Sequence, residues 1–348
     1  MKKRVPVILQ LVSVSVVMYV YDWLFIPQRS GSMLVGFLFW VAVGQGVLAL
    51  LAAVDLSGGK WIKSIRPYIQ RYYPLLALFP IAFLIFTRHM AVYPWTAAPA
   101  RWFNQPAFII RNEIFLLLPL IFAHFYVRAA RKESRALGVY AVLYLLAFVV
   151  GQSFIAFDMV MSLDYPWVNT LFGGFFFIES FYTGIAFALI LTGLLARKDL
   201  ERFKLAFSDL TVLFMGFALF WAGLFYAQYL VIWYGNLPEE VRYIERRQST
   251  SQLMAMGIYV LATLFFIPFF SLLSRKVKAA VPAVFAIALL FFSGLIVERL
   301  IYLIPDTPIR TVHVIVYWVL FGLPYLYLLM EQYRSTHIRR HSEKVDNA

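Results

Sequence analysis

Apolar residues run along this chain in long unbroken blocks and not in alternation. A block of about 18 or more such residues is long enough to cross the hydrocarbon core of a bilayer as a helix. Ten blocks are read: Val5–Phe25, Met33–Val54, Tyr73–Phe86, Ile109–Val127, Val139–Phe157, Val168–Leu195, Thr211–Trp233, Leu253–Leu273, Val281–Tyr302 and Val312–Met330. Continuity favours helices over the alternating strands of a membrane barrel. The first block follows Met1-Lys2-Lys3-Arg4 and resembles a secretory signal. Its apolar part is too long for one and no small-residue cleavage site follows, so it is expected to stay as a helix. The predicted fold is an all-α integral membrane protein of about ten transmembrane helices in a single polytopic domain.

The composition agrees, with 62% hydrophobic and 14% charged residues in 348. Cysteine is absent, which excludes disulfides, cysteine-held iron–sulfur clusters and thiol chemistry. A net charge of +13 in a soluble protein would point to nucleic acid. Its distribution says otherwise. Twenty-two of the 31 lysines and arginines fall in alternate segments: the first four residues, 60–71, 128–135, 197–204, 275–278 and 334–344. The positive-inside rule then predicts both termini in the cytoplasm, with the basic residues setting topology and attracting anionic lipid. Membrane lipid is therefore an expected partner and nucleic acid is not. Lys60–Tyr72 mixes basic and apolar residues, as an interfacial helix or a solvated lead-in would. Gly235–Thr250 is nearly balanced in acid and base; Asn236, Glu239, Glu240 and Arg242 are candidates for docking a partner at the outer surface, with a merely solvated loop as the alternative.

Histidine bears on cofactors. His89, His124, His313, His337 and His341 offer no pair at one depth to hold a haem, and no cluster with metal-ligand spacing. No metal and no covalent or redox cofactor is expected on this chain. Acidic residues at membrane depth are costly and are functional candidates for that reason. Glu179 lies near the predicted midplane, Glu298 beside Arg299 in the ninth block, and Asp158 at the end of the fifth. These three carboxylates are the proton-handling candidates; neutral acids hydrogen-bonded between helices are the alternative. Glu298 and Arg299 point about 100° apart on a helix, so they need not pair with one another and each has room for a partner on another helix. Asp22, Asp55, Asp164 and Asp209 read as helix-end residues. If the third to sixth blocks form one antiparallel bundle, Arg88, His89, Glu113, Asp158 and Gln152 become candidates for a quinone pocket at its outer mouth.

Two stretches, FDMVMSLDYPWVNTLFGGFFF (Phe157–Phe177) and AQYLVIWYGNLPEEV (Ala227–Val241), resemble the NrfD or polysulfide-reductase membrane-subunit family. The nearest likeness is to the second such subunit of bacterial alternative complex III. The resemblance implies two four-helix bundles with flanking helices, with cores near residues 73–195 and 205–305. It implies a bacterial inner membrane and a quinol-oxidising complex using quinone or menaquinone as substrate. The implied partners are a second NrfD-like membrane subunit and outer-side iron–sulfur and c-type haem subunits. Asp158 matches the aspartate of the family's FD..MSL pattern, and Asn236 to Glu240 match its NLPEE. The family more often has Glu-Pro-His after MSL, where this chain has Asp164-Tyr165-Pro166. Composition alone would favour a secondary transporter, and a purely structural membrane anchor is the third reading.

Overall fold

The computed structural model describes residues 6–346, with side chains placed as far as residue 335. Lys2, Lys3, Arg4, Val5 and the side chains of His337, Arg339, Arg340, His341 and Lys344 lie outside the described residues. Among the described residues there are helices and turns and no strand. Ten helices are long and apolar enough to cross a membrane: Val7–Phe25, Ser32–Leu56, Arg66–Val92, Gln105–Arg131, Leu137–Asp164, Leu171–Ala196, Leu200–Gly235, Ser251–Leu273, Val281–Leu303 and Thr311–Ser335. They are called here the first to tenth spans. This is the build of a multi-pass membrane protein whose outward helical faces meet lipid.

Two spans differ most from their apolar blocks. The third starts earlier, after a short turn over Trp61–Ser64; Ile62 of the turn, Ile65 after it and Ile69 in the first turn of the span are all buried against the bundle. Lys60–Tyr72 is therefore packed tertiary structure and not a free amphipathic helix. The seventh extends over 36 residues, its start capped by the Asp199 side chain accepting from the Arg202 amide at 3.3 Å. It ends at Asn236, whose φ of 48° is the left-handed conformation that asparagine tolerates better than most residues. Gly235–Thr250, read as a loop, contains a helix over Pro238–Gln248. Proline opens it, Glu239 and Glu240 stand in its first turn, and Arg246 and Arg247 in its last. That order of charge matches the helix dipole.

The second to fifth spans pack as one four-helix ring and the sixth to ninth as another, with the first and tenth flanking the first ring. This grouping differs from the 73–195 and 205–305 halves expected above: the second span belongs to the first ring and the sixth to the second. These two are the most buried spans because they form the seam between the rings. Gly46 and Gly184 explain how close they come. A Cβ on Gly46 would land on the Ser180 carbonyl, and one on Gly184 on the Gly46 backbone. Small residues that let backbones touch are a common means of helix association in lipid.

Opposite rims carry different chemistry. One gathers Arg66 on Asp55, Tyr126 on Asp55 at 2.7 Å, and Arg71 on Glu331 at 3.4 Å. The other gathers Asp158, Asp164, Asp306, the Pro238–Gln248 helix and the segment after the third span.

Candidate functional site

The sixth and ninth spans bring three ionisable groups together inside the second ring. Arg299 donates from Nη2 to Glu179 Oε1, and its Nη1 lies 3.5 Å from Glu298 Oε2. The Trp221 indole reaches Glu179 Oε2 at 3.4 Å and the Tyr302 hydroxyl donates to Glu298 Oε1 at 3.1 Å. The guanidinium lies 4.5 Å from the Phe176 ring centre, a cation–π contact. Glu179 and Arg299 have no solvent exposure at all, and Glu298 only 3%. Glu179 stands eight residues, about 12 Å of rise, inside the start of its helix. Glu298 and Arg299 do approach one another, since a long arginine side chain spans the angle between neighbours, and Arg299 also finds Glu179 on another helix. Two carboxylates facing one guanidinium leave one negative charge uncompensated.

A cavity of about 250 Å³ adjoins this triad, between the sixth to ninth spans, with Glu298 and Tyr302 in its wall. Asn169 and Gln228, bonded to each other at 3.1 Å, close one end. Tyr243, Ile244 and Arg247 of the Pro238–Gln248 helix form the roof. That roof is clamped. Arg246 meets Asp164 at 2.9 Å and Asp306 at 2.5 Å; Arg247 meets Asp164 at 2.6 Å and Asp306 at 3.5 Å. Tyr243 stacks on Trp167 with 3.7 Å between ring centres. Burial pushes the Asp306 carboxyl up to about 7, and neighbouring Asp164 adds to this against the opposing pull of Arg247 and Arg246. Asp164 is therefore far more than the helix-start residue it reads as in sequence. Beyond the clamp, Glu239 and Arg242 share a polar crevice of about 380 Å³ with Arg29 and Arg246. Asn236 is exposed at its turn, and Glu240 half-buried.

The expected quinone-pocket residues do not form one cluster. His89 and Arg88 turn to Asp22 of the first span, at 2.8 and 3.0 Å, and Tyr317 of the tenth span donates to the same carboxylate at 2.5 Å. His89 also faces the Gln28 carbonyl at 3.0 Å, so both ring nitrogens meet oxygen acceptors. Either the ring carries two protons or the proton shared with Asp22 sits on the carboxyl. Asp158 is held by Arg111 at 2.6 Å and Asn112 at 2.9 Å, and the Arg111 guanidinium lies against the Trp102 ring. Gln152 sits at the seam, donating to Gln45 at 2.8 Å and accepting from Ser180 at 2.9 Å. Glu113 is half-buried with Oε1 receiving no hydrogen bond. All five lie on the third to fifth spans of one ring; they separate because Arg88 and His89 turn out to Asp22 of the first span while Gln152 faces Gln45 of the second. Asp22 reads only as a helix-end residue in sequence, since its partners lie 66 to 295 positions away.

No group of histidine, aspartate and glutamate suited to a metal ion occurs among the described residues. Comparison of the chain with protein-family models and with curated proteins returned no match. What the chain does must therefore be argued from its own geometry.

Proposed function

We propose that the chain is a cofactor-free membrane subunit of a quinol-oxidising electron-transfer complex, resembling the NrfD-type subunits of alternative complex III, and that its second ring handles protons. The observation that carries this reading is the Glu179–Arg299–Glu298 triad, with its one uncompensated carboxylate buried beside a lined cavity. A shared proton at such a site exchanges when a neighbour changes charge, and that is the requirement for coupling redox chemistry to proton release or uptake. In this reading the termini face the bacterial cytoplasm. The clamp rim faces outward, where Asn236, Glu239, Glu240 and Arg242 meet iron–sulfur and c-type haem subunits. A second NrfD-like subunit lies alongside in the inner membrane. The two stretches that carry the resemblance are neighbours in space, since Asn169 bonds Gln228, which supports reading them as one functional unit.

Gentle purification through an affinity tag tests membership. Copurified haem and iron–sulfur proteins are expected; a solitary chain would sink the reading. In the intact complex, Glu179→Gln leaves Arg299 paired with Glu298 and the charges balanced, so assembly should persist. Proton-coupled turnover is expected to fall by about a hundredfold, the lower end of general acid–base contributions. Unchanged turnover would remove the triad from the mechanism.

A further inference from the structure

The fourth span carries one face whose chemistry changes abruptly along its length. Ile110, Ile114, Leu117 and Ile121 recur every three or four residues, so they line one side of the helix. They are 61%, 48%, 39% and 44% exposed, and such a stripe on a spanning helix faces lipid. Continued at the same spacing, that side presents His124, Arg128 and Arg131, all exposed. The helix ends at Arg131, and the turn beyond adds Lys132 and Arg135 against one acid, Glu133. A lipid-facing stripe thus passes straight into a surplus of positive charge.

These arginines are positioned by their neighbours but lack a counter-charge. Arg131 lies 5.8 Å from the centre of the Tyr73 ring on the third span and reaches the Gln70 carbonyl at 3.5 Å. The His124 ring lies 5.9 Å from the same tyrosine. Phe125, at the other margin of the face, stacks on Tyr140 of the fifth span at 5.5 Å. Arg66 and Arg71 on this rim have carboxylates, Asp55 and Glu331. Among the described residues no carboxylate meets Arg128, Arg131 or Arg135. The end of the helix itself supplies only about half a negative charge. Topology asks for positive charge at this rim, but not for arginines set on a lipid-facing side with a tyrosine ring against one of them.

We propose that this face is a binding site for an anionic phospholipid. The phosphate lies between Arg128 and Arg131, whose guanidinium groups offer paired N–H donors to its oxygens. The acyl chains run along Ile121, Leu117 and Ile114, within the leaflet on this side. His124, about 6 Å along the helix from Arg128, offers a ring N–H where the ester carbonyls come. A water-soluble anion would use the cations alone, and an acidic protein surface would leave the apolar stripe uncovered. A phospholipid covers both. The site belongs to the first ring, on the rim opposite the clamp of Asp164 and Asp306, and it needs nothing of the quinol-complex reading.

The test measures lipid binding to the full chain by native mass spectrometry. Dioleoylphosphatidylglycerol is titrated against dioleoylphosphatidylcholine, which has the same chains and no net charge. Phosphatidylglycerol is expected to bind the more tightly. A basic residue near a membrane surface is worth about a fivefold gain, so Arg128→Gln and Arg131→Gln should each weaken its binding about fivefold, and the double variant about 25-fold. Tyr73→Leu should weaken it about threefold through Arg131. Binding of phosphatidylcholine should stay the same throughout. Arg275→Gln with Lys276→Gln, which removes two exposed cations elsewhere on this rim, should change neither lipid. Glycerol phosphate, the head without its chains, should not compete. Four results would each overturn the proposal: no preference for phosphatidylglycerol, a preference that the double variant keeps, an equal loss on removing Arg275 and Lys276, or competition by glycerol phosphate. The first would leave the face to an acidic protein partner, the third to the diffuse charge of the whole rim, and the fourth to soluble anions.

Discussion

The two helical rings each bury a carboxylate against an arginine, and they do so differently. In the first ring Asp158 meets Arg111 one to one at the rim, and Arg111 keeps 14% of its side chain exposed. Asn112 adds a further donor to Asp158, and Trp102 covers the guanidinium. In the second ring two carboxylates meet one arginine, about two turns inside, and neither Glu179 nor Arg299 touches solvent. Burial alone does not separate these sites, since Asp158 is as buried as Glu179. The ratio of acids to bases does. A pair matched in charge reads as an anchor; two carboxylates on one guanidinium leave an acid without a counter-charge, and that is a place for a proton to bind.

Three measurements can break or sharpen that comparison. The largest effect is expected from Arg299→Met, which strands two buried carboxylates and should cost about 3–5 kcal/mol of stability. Arg111→Met, at a site that water reaches, should cost less, about 1.5–3 kcal/mol. Denaturation of both variants in detergent measures this, and equal losses would show that the two sites are energetically alike. Next in size is Asp158→Asn, expected to lose about 1–2 kcal/mol of stability while leaving the KM for quinol unchanged in the assembled complex. A raised KM would return the quinol site to the mouth of the first ring and reverse the assignment.

The smallest effect is one of pH. Asp306 has its carboxyl raised from the usual carboxylate range to about 7 by burial and by Asp164. A raised folded-state value means that the docked helix binds the proton more tightly than the undocked one. Docking of Pro238–Gln248 is thus fully favoured below the ordinary aspartate value. It weakens as pH rises toward about 7 and stays at its weaker level above. Hydrogen exchange of Arg242–Gln248 amides should be slower at pH 6 than at pH 8 after correction for intrinsic rates. In Asp306→Asn the difference should vanish, and a persistent difference would assign the titration to another group.

Much of the fold was legible because hydrocarbon imposes a simple rule: each spanning segment must satisfy its own backbone, so apolar length marks a helix. Ten blocks became ten helices. The helix after Asn236 was missed because its polar, charge-balanced sequence carries no apolar block, although Pro238, the early glutamates and the late arginines were the available signal. Glu179 and Glu298 were legible as candidates because an acid in an apolar block is conspicuous. Asp22 and Asp164 were not, since at helix ends they look like ordinary start and stop residues.

By itself, then, the sequence determined the class of molecule, the number of spans and the short set of acids worth attention, because those depend on composition within single segments. Only the tertiary structure decided which spans share a ring, that Gly46 and Gly184 let the second and sixth spans touch, and that Arg299 serves two glutamates while His89 serves Asp22. Partner choice depends on the depth and facing of residues as much as 295 positions apart, and local pattern carries no information about either.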